Sequence, residues 1–278
     1  MVNVFELVRD VLDEAYAEIP GTKAQKDTAI KKDLEALGSI YANVWKTGGP
    51  PFSDPVRRFA YVFRYVTCHA NLVNGRIANS KPLVTLMQRP ELVITALGGG
   101  PGSDAIGVAK YLQAAVLNPT VQFYLCDRES LWSETWGDLG MKLRSGLNIN
   151  TTYLTQDVLE PRTWKPFTKC FKADLFTLIY FISEVYAHRD KAEPYFKHVL
   201  QSARPGAHFL YIDNNHDYFN TWFDDMAERG GLSVLSSYEG YINMPSDEQM
   251  DVLEKYIKKF GAAARLKANT AYRVLVKK

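Results

Sequence analysis

Residues 91–112 read ELVITALGGGPGSDAIGVAKYL: an apolar run, then a glycine-rich turn, then residues at helical spacing. The apolar run at residues 92–97 is typical of a buried β-strand. The alternate glycines of the turn are Gly98, Gly100 and Gly102. Without a Cβ they allow positive φ and a close approach of the main chain to a bound group, and the helix that begins near Ser103 and Asp104 offers free amide hydrogens. The segment therefore predicts a binding site at the carboxyl end of a strand.

Strand and helix patterns alternate along the whole chain after Pro90. The predicted strands cover residues 92–97, 121–126, 152–156, 175–181, 207–213, 233–241 and 271–276. This alternation predicts an α/β fold with a seven-stranded, mostly parallel Rossmann-like sheet and helices on both faces. Residues 1–90 show helical spacing instead, including a helix predicted over 31–47. We therefore expect an N-terminal helical cap or lid subdomain at 1–90 and a sheet domain at 91–278, in which a further helix is predicted over 247–260.

The composition narrows the class of protein. The 278 residues, 46% of them hydrophobic, suffice for a sizeable core, and the formal net charge of +2 gives little support to a nucleic-acid partner. The three cysteines lack CxxC spacing, so we expect neither disulfides nor a metal site. No apolar run approaches the roughly 18 residues that span a bilayer. We expect a cytoplasmic protein without a membrane partner, with a nuclear location left open and the oligomeric state not predicted.

Polar residues end the second and third predicted strands. Asp127 ends VQFYLCD, and Gln156 with Asp157 ends TTYLTQD. The carboxyl ends of neighbouring parallel strands lie at one edge of the sheet, which is where open α/β sheets bind ligands. Asp127 could accept hydrogen bonds from both hydroxyls of a ribose, and Gln156 and Asp157 could meet the edge of an adenine. Together with the glycine turn, they predict an adenosine-containing cofactor.

With these motifs and seven strands, residues 91–278 resemble the class I S-adenosylmethionine-dependent methyltransferases over about two thirds of the chain. The resemblance implies S-adenosyl-L-methionine as cofactor, with the glycine turn beside its methionine part. It also implies that Asp127 holds the ribose and that Asp157, with the amide of Val158, holds the adenine. The full predicted cofactor set is Gly98, Gly100, Gly102, Asp104, Asp127, Arg128, Gln156, Asp157, Val158 and Tyr180.

The loop after the fourth strand faces the transferred methyl group in the resembling family. It lies within residues 174–194, DLFTLIYFISEVYAHRDKAEP, and its catalytic candidates are Glu184, Tyr186 and His188. His188 could act as a general base, the alternative being an exposed loop histidine. The candidate substrate-binding residues are Tyr65, His69, Ser183 and Tyr218. The aromatic residues among these candidates favour a partly apolar, small-molecule methyl acceptor.

Other functions remain open at this point. Gly98, Gly100 and Ser103 nearly match the dinucleotide fingerprint, so an NAD-binding oxidoreductase is an alternative, although its third glycine is replaced by Ser103 and no second catalytic domain follows. An RNA or protein methyltransferase and a non-catalytic cofactor-binding protein are further alternatives. Glu184 and Glu193 have the separation of the paired glutamates of arginine methyltransferases, but we interpret Glu193 as a helix-start residue.

Overall fold

A computed structural model describes residues 2–143, 146–243 and 250–278, and these residues form a seven-stranded sheet. The strands are β1 (Glu91–Leu97), β2 (Thr120–Asp127), β3 (Ile149–Thr155), β4 (Leu175–Ile179), β5 (His208–Asn214), β6 (Leu232–Asn243) and β7 (Lys267–Lys277). Their order is β3-β2-β1-β4-β5-β7-β6. Strands β1 to β5 are parallel, and β7 runs antiparallel to both β5 and β6. The predicted α/β fold is therefore confirmed.

The helices before the sheet begin at well-formed caps. They are α1 (Val4–Glu18), α2 (Lys23–Ala42), α3 (Val44–Thr47), α4 (Pro55–Tyr61), α5 (Thr67–Ala78) and α6 (Lys81–Met87), with a π-helical turn at Val62–Val66 joining α4 to α5. The Asn3 side chain accepts from the amides of Phe5 and Glu6, and Thr22 forms a capping box with Gln25. Such caps satisfy amides that the helix itself cannot pair.

The remaining helices connect the strands. They are α7 (Ser103–Ala114), α8 (Trp132–Lys142), α9 (Pro161–Trp164), α10 (Ile182–Val185), α11 (Arg189–Ser202), α12 (Asp217–Arg229) and α13 (Glu254–Phe260), with short 3₁₀ turns at Cys170–Lys172, Tyr186–His188 and Met250–Leu253. Within the described ranges no helix combines the length and apolar character needed to cross a membrane.

The N-terminal helices share one hydrophobic core with a face of the sheet. Phe5, Phe63 and Val66 are buried in the same cluster as Ile94 and Phe123 of β1 and β2. Helices α5 and α7 meet so closely that a Cβ added at Gly107 would lie 2.5 Å from the Ala70 carbonyl oxygen. The segment before residue 90 is thus packed onto the sheet. Its predicted role as a lid stays a prediction.

Several element boundaries differ from the sequence predictions. The helix predicted over 31–47 is two helices, since α2 ends at Ala42 and α3 begins at Val44. The fourth strand ends at Ile179 rather than at residue 181, because Tyr180 takes a left-handed conformation with φ of 55° that a strand does not accommodate. Helix α11 begins at Arg189, so Glu193 lies in its second turn and not at its start.

The last elements also differ. Strands β6 and β7 are longer than predicted, because their antiparallel ladder runs from Leu232 opposite Lys277 to Asn243 opposite Lys267. The helix predicted over 247–260 is a 3₁₀ turn followed by α13, and residues 247–249 lie outside the described residues.

Candidate functional site

The glycine turn has the backbone that its composition predicts. Gly98, Gly100 and Gly102 have φ of 69°, 47° and 88°. The amides of Gly98 and Gly99 both donate to the Cys126 carbonyl, at 2.9 and 3.0 Å, which ties the turn to the end of β2. Added Cβ atoms at Gly98 and Gly102 would overlap the rings of Phe181 and Trp136, whereas one at Gly100 would meet its nearest neighbour, Trp132 Nε1, at 3.9 Å. A Cβ therefore has room at Gly100, although Gly100 itself is buried.

Asp127 at the end of β2 is fixed by two backbone amides. Its Oδ2 accepts from the Gly100 amide at 3.0 Å, and its Oδ1 accepts from the Glu129 amide at 3.0 Å. Burial raises the pKa of Asp127, and these two amides act in the opposite direction. Each carboxylate oxygen keeps a second lone pair, so the group can still accept hydrogen bonds from a ligand.

A cleft of about 560 Å³, open space included, lies at this edge of the sheet. Six residues of the predicted cofactor set line it: Gly98, Asp127, Arg128, Gln156, Asp157 and Val158. They come from the ends of β1, β2 and β3, so the structure brings these three loops to one hollow. The cofactor itself remains a prediction.

The far end of the cleft is formed after β3. Gln156 is buried, and its Oε1 accepts from the Tyr195 hydroxyl at 3.4 Å. Asp157 Oδ1 accepts from the Leu159 amide at 2.9 Å, which closes the turn. Val158 is nearly buried and lies on the cleft wall. The other carboxylate oxygen of Asp157, Oδ2, takes no part in this hydrogen bond.

Four residues of the predicted cofactor set do not line the cleft: Gly100, Gly102, Asp104 and Tyr180. The Asp104 carboxylate lies inside the protein and accepts a hydrogen bond from Thr177. The Tyr180 hydroxyl pairs with Thr270 at 3.0 Å, and its ring stacks on His69 at 4.4 Å between centroids. Both side chains are therefore held by the protein's own groups, and their predicted cofactor role stays a prediction.

The buried Asp104 carboxyl predicts a pH-dependent stability. Burial raises its pKa from 3.8 to about 7, so the folded state binds one more proton than the unfolded state between these values. The contribution of Asp104 to the free energy of unfolding should therefore fall by about 2–3 kcal/mol as pH rises from 5 to 8. Asp104→Asn keeps an acceptor for Thr177 but cannot ionise. This variant should therefore lack the decrease in the free energy of unfolding that Asp104 causes. Urea unfolding at both pH values measures it, and equal pH dependence of the two proteins would contradict the prediction.

The loop after β4 separates the three catalytic candidates. Glu184 and His188 line the cleft, Glu184 partly buried and His188 exposed at the rim. Tyr186 does not line it; its ring is parallel to that of Tyr218, with centroids 5.9 Å apart. Burial raises the pKa of Glu184 to about 7. Among the three, Glu184 combines a position on the cleft wall with a strongly perturbed carboxyl, which marks candidate functional groups.

The four candidate substrate residues are not brought together. Tyr65 and His69 are each only 5% exposed and belong to a buried aromatic cluster. Ser183 is buried, and its amide donates to Asp213 Oδ2 at 2.9 Å. Tyr218 is 49% exposed and contacts Trp45. None of these four lines the cleft.

Sequence reasoning missed the part that the N-terminal helices play at the cleft. The Tyr41 hydroxyl donates to Glu184 Oε1 at 2.7 Å, and the Gly49 amide donates to the Glu184 carbonyl at 3.0 Å. The Arg128 guanidinium donates to the carbonyls of Gly49 and Pro50, at 2.8 and 3.2 Å. The segment Gly48–Pro50, here called the strap, therefore joins the β2 loop to the β4 loop across the cleft. The sequence Gly-Gly-Pro-Pro at residues 48–51, which includes the strap, predicts only a turn.

A scan of protein-family profiles and a search of curated proteins gave no match to the chain. Solved structures do match it in fold. One, from Pyrococcus horikoshii, was reported as a candidate RNA methyltransferase; it has 12% identity and a TM-score of 0.45, with 88% of this chain and 97% of that chain covered.

Two further matched structures come from bacteria. One is an S-adenosylmethionine-dependent methyltransferase from Clostridium acetobutylicum, at 12% identity and a TM-score of 0.47, with coverage of 75% and 92%. The other is a precorrin-6y C5,15-methyltransferase from Geobacter metallireducens, at 13% identity and a TM-score of 0.40, with 71% of this chain and 86% of that chain covered. These are methyltransferases, the class that the sequence resembles, and the fold implied by that resemblance is the fold observed. At these values the likeness assigns neither an activity nor an acceptor to this chain.

Proposed function

We propose that this chain is an S-adenosyl-L-methionine-dependent methyltransferase that acts on a small molecule. The observation that carries the proposal is the single cleft formed by the ends of β1, β2 and β3, with Asp127 and Val158 on its wall. A nucleoside needs acceptors for its ribose hydroxyls and a flat, partly apolar place for its base. Asp127 offers the acceptors, and the wall at Val158 and Leu159 offers the apolar surface.

The chain's own groups fit the rest of such a cofactor. Ser103, at the start of α7, has a buried Oγ without a hydrogen-bond partner among the described residues, and the first turn of this helix adds free amides. Amides and a hydroxyl at a helix N-terminus suit a carboxylate such as that of a methionine part.

The chemistry required of the residues is limited. The bound cofactor would supply an activated methyl group, which transfers by in-line displacement. The protein then has to align the acceptor, exclude water and receive a proton where the acceptor carries one. The strap crosses the cleft at Gly49, and Glu184 is a carboxyl on the cleft wall that can hold a proton.

The oxidoreductase alternative receives less support. Strands β3, β2, β1, β4 and β5 follow the dinucleotide-binding order, but that order continues with a parallel sixth strand, and here the antiparallel β7 lies between β5 and β6. Isothermal titration calorimetry of the full chain with S-adenosylhomocysteine and with NAD separates the two functions. We expect binding of S-adenosylhomocysteine that NAD does not displace, and the reverse result would overturn the proposal.

RNA is a second candidate acceptor, since the Pyrococcus structure was reported as a candidate RNA methyltransferase. The low net charge of +2 favours the small molecule. Because phosphate contacts release counterions, an RNA substrate would bind with an affinity that falls steeply with salt. We expect no such salt-dependent RNA binding, and filter binding of total RNA at several salt concentrations tests this.

A further inference from the structure

The Glu184 carboxyl lies where the N-terminal helices meet the loop after β4. Its Oε1 accepts from the Tyr41 hydroxyl of α2 at 2.7 Å. On its other side is the strap, where a Cβ added at Gly49 would lie 2.5 Å from Glu184 Oε2. The carboxyl is therefore held between two segments of the N-terminal region while it lines the cleft. A carboxyl fixed in this way at a cleft wall is suited to receive a donor group of a ligand.

The charges around Glu184 favour a cation over an anion. The ionisable groups around it are Tyr41, Tyr61, Asp127, Arg128 and Asp213, and the exposed His188 lines the same cleft. Two of them are carboxyls, and the one guanidinium, on Arg128, already donates to the carbonyls of Gly49 and Pro50. An anionic acceptor would meet like charge here, whereas an amino group would find a carboxylate.

Aromatic rings of the N-terminal region extend from Glu184 toward the glycine turn. The ring centroids of Tyr41 and Tyr61 are 6.5 Å apart, and those of Tyr61 and Trp132 are 5.4 Å apart. Trp132 is only 1% exposed, and none of these three rings is among the residues that line the cleft. The apolar side chains that line it on the same loop as Glu184 are Phe181 and Val185. They suit an amine that carries an apolar body.

Resting on the proposed function, we propose that the methyl acceptor is a small amine, that Glu184 is the catalytic residue that binds its amino group and takes its proton, and that Tyr41 positions Glu184. The ammonium gives one proton to the ionised carboxylate of Glu184. The freed nitrogen lone pair then forms the bond to the methyl carbon as the carbon–sulfur bond breaks with its electrons left on sulfur. The products are the methylated ammonium, a neutral thioether and the protonated Glu184 carboxyl, which then releases its proton to solvent, so charge and protons balance.

The acceptor class is tested with the full chain and S-adenosylmethionine labelled in the methyl group. The probes are benzylamine and 2-phenylethylamine, with benzyl alcohol and 2-phenylethanol as matched compounds that lack the amine. We expect label on the amines and none on the alcohols. Label on the alcohols alone, or no amine that accepts a methyl group, would overturn the amine assignment.

The role of Glu184 is tested with Glu184→Gln. Loss of a positioned proton acceptor should lower the rate of transfer to the amines by about 100-fold or more. Affinity for S-adenosylhomocysteine should change little, because the cofactor set lies on the ends of β1 to β3. Glu193→Gln, the same change at a partly exposed helix position that pairs with Arg229, is the matched control and should transfer at the wild-type rate. Equal rates for Glu184→Gln and the control would overturn the role.

The positioning role of Tyr41 is tested by the pH profile of transfer. The hydrogen bond from Tyr41 holds the pKa of Glu184 lower than burial alone would. In Tyr41→Phe the pKa of Glu184 should rise, so the acidic limb of the profile should move to higher pH. Tyr16→Phe, which removes another tyrosine–carboxylate hydrogen bond on the surface of the N-terminal helices, should leave the profile in place. An unmoved profile in Tyr41→Phe would show a merely structural role.

The two levels of the proposal fail in different ways. If the wild-type chain does not bind S-adenosylhomocysteine, the proposed function is wrong. If it binds the compound but the amines receive no label, only the acceptor class is wrong. If the amines are labelled but Glu184→Gln transfers at the control rate, only the catalytic role of Glu184 is wrong.

Discussion

Replacing Asp127 with alanine is expected to weaken the binding of S-adenosylhomocysteine by about 1–3 kcal/mol, or roughly 5- to 150-fold. The variant removes the acceptor proposed for the ribose hydroxyls. It also frees the Gly100 and Glu129 amides, which both donate to this carboxylate at 3.0 Å. The glycine turn then loses one of its contacts with the end of β2, while the Gly98 and Gly99 amides still donate to the Cys126 carbonyl, and both effects lower the affinity. Isothermal titration calorimetry measures the change.

Asp174→Ala is the matched control for this variant. Asp174 also accepts from a backbone amide, that of Val93 at 2.9 Å, and from the Arg89 side chain at 3.1 Å. It precedes β4 and pairs with the start of β1, so it lies at the amino edge of the sheet, away from the cleft. We expect the control to lose stability without loss of affinity. Equal affinities of Asp127→Ala and the wild type would remove Asp127 from the site.

Replacing Gly107 with alanine is expected to destabilise the whole protein by about 1–3 kcal/mol, although alanine favours a helix over glycine. The new Cβ would lie 2.5 Å from the Ala70 carbonyl oxygen and 2.7 Å from Val73 Cβ, so α5 and α7 must move apart. Because α5 belongs to the N-terminal region and α7 to the sheet domain, the change acts on the interface that joins them. Urea unfolding followed by tryptophan fluorescence measures the loss.

The same substitution at Gly137 should have the opposite sign. A Cβ at Gly137, within α8, has no neighbour within 4 Å, so Gly137→Ala should gain about 0.5–1 kcal/mol from helix propensity alone. We expect both variants to unfold in a single transition. A separate early transition of the N-terminal helices in Gly107→Ala would show that they are held only loosely to the sheet. A gain in stability for Gly107→Ala would contradict the packing described here.

The strands and the glycine turn could be predicted because their signals are local. The apolar run at 92–97, the glycines that follow it and the start of a helix lie within about twenty residues, and turn chemistry acts over that range. Local signals also predict that Asp127 and Asp157 lie at one edge, since each ends a predicted strand and parallel strands share their carboxyl edge. The structure brings both to the cleft.

Two features had no local signal. Residues 175–181 form a continuous apolar run, which does not reveal that the strand ends at Ile179 and that Tyr180 turns into a left-handed conformation. The pairing of Tyr41 with Glu184 joins residues 143 positions apart, so it depends on how the N-terminal helices dock and not on any motif. The same docking buries Tyr65 and His69. Helical spacing alone does not show this burial, so both residues are substrate-binding candidates in the sequence.

The most direct test of the central claim is a crystal structure of the full chain grown with S-adenosylhomocysteine. We predict its ribose hydroxyls on the Asp127 carboxylate, its adenine beside Val158 and its sulfur directed toward Glu184. The ligand bound elsewhere on the molecule, or the cleft filled only by the protein's own side chains while binding is saturated, would contradict the account.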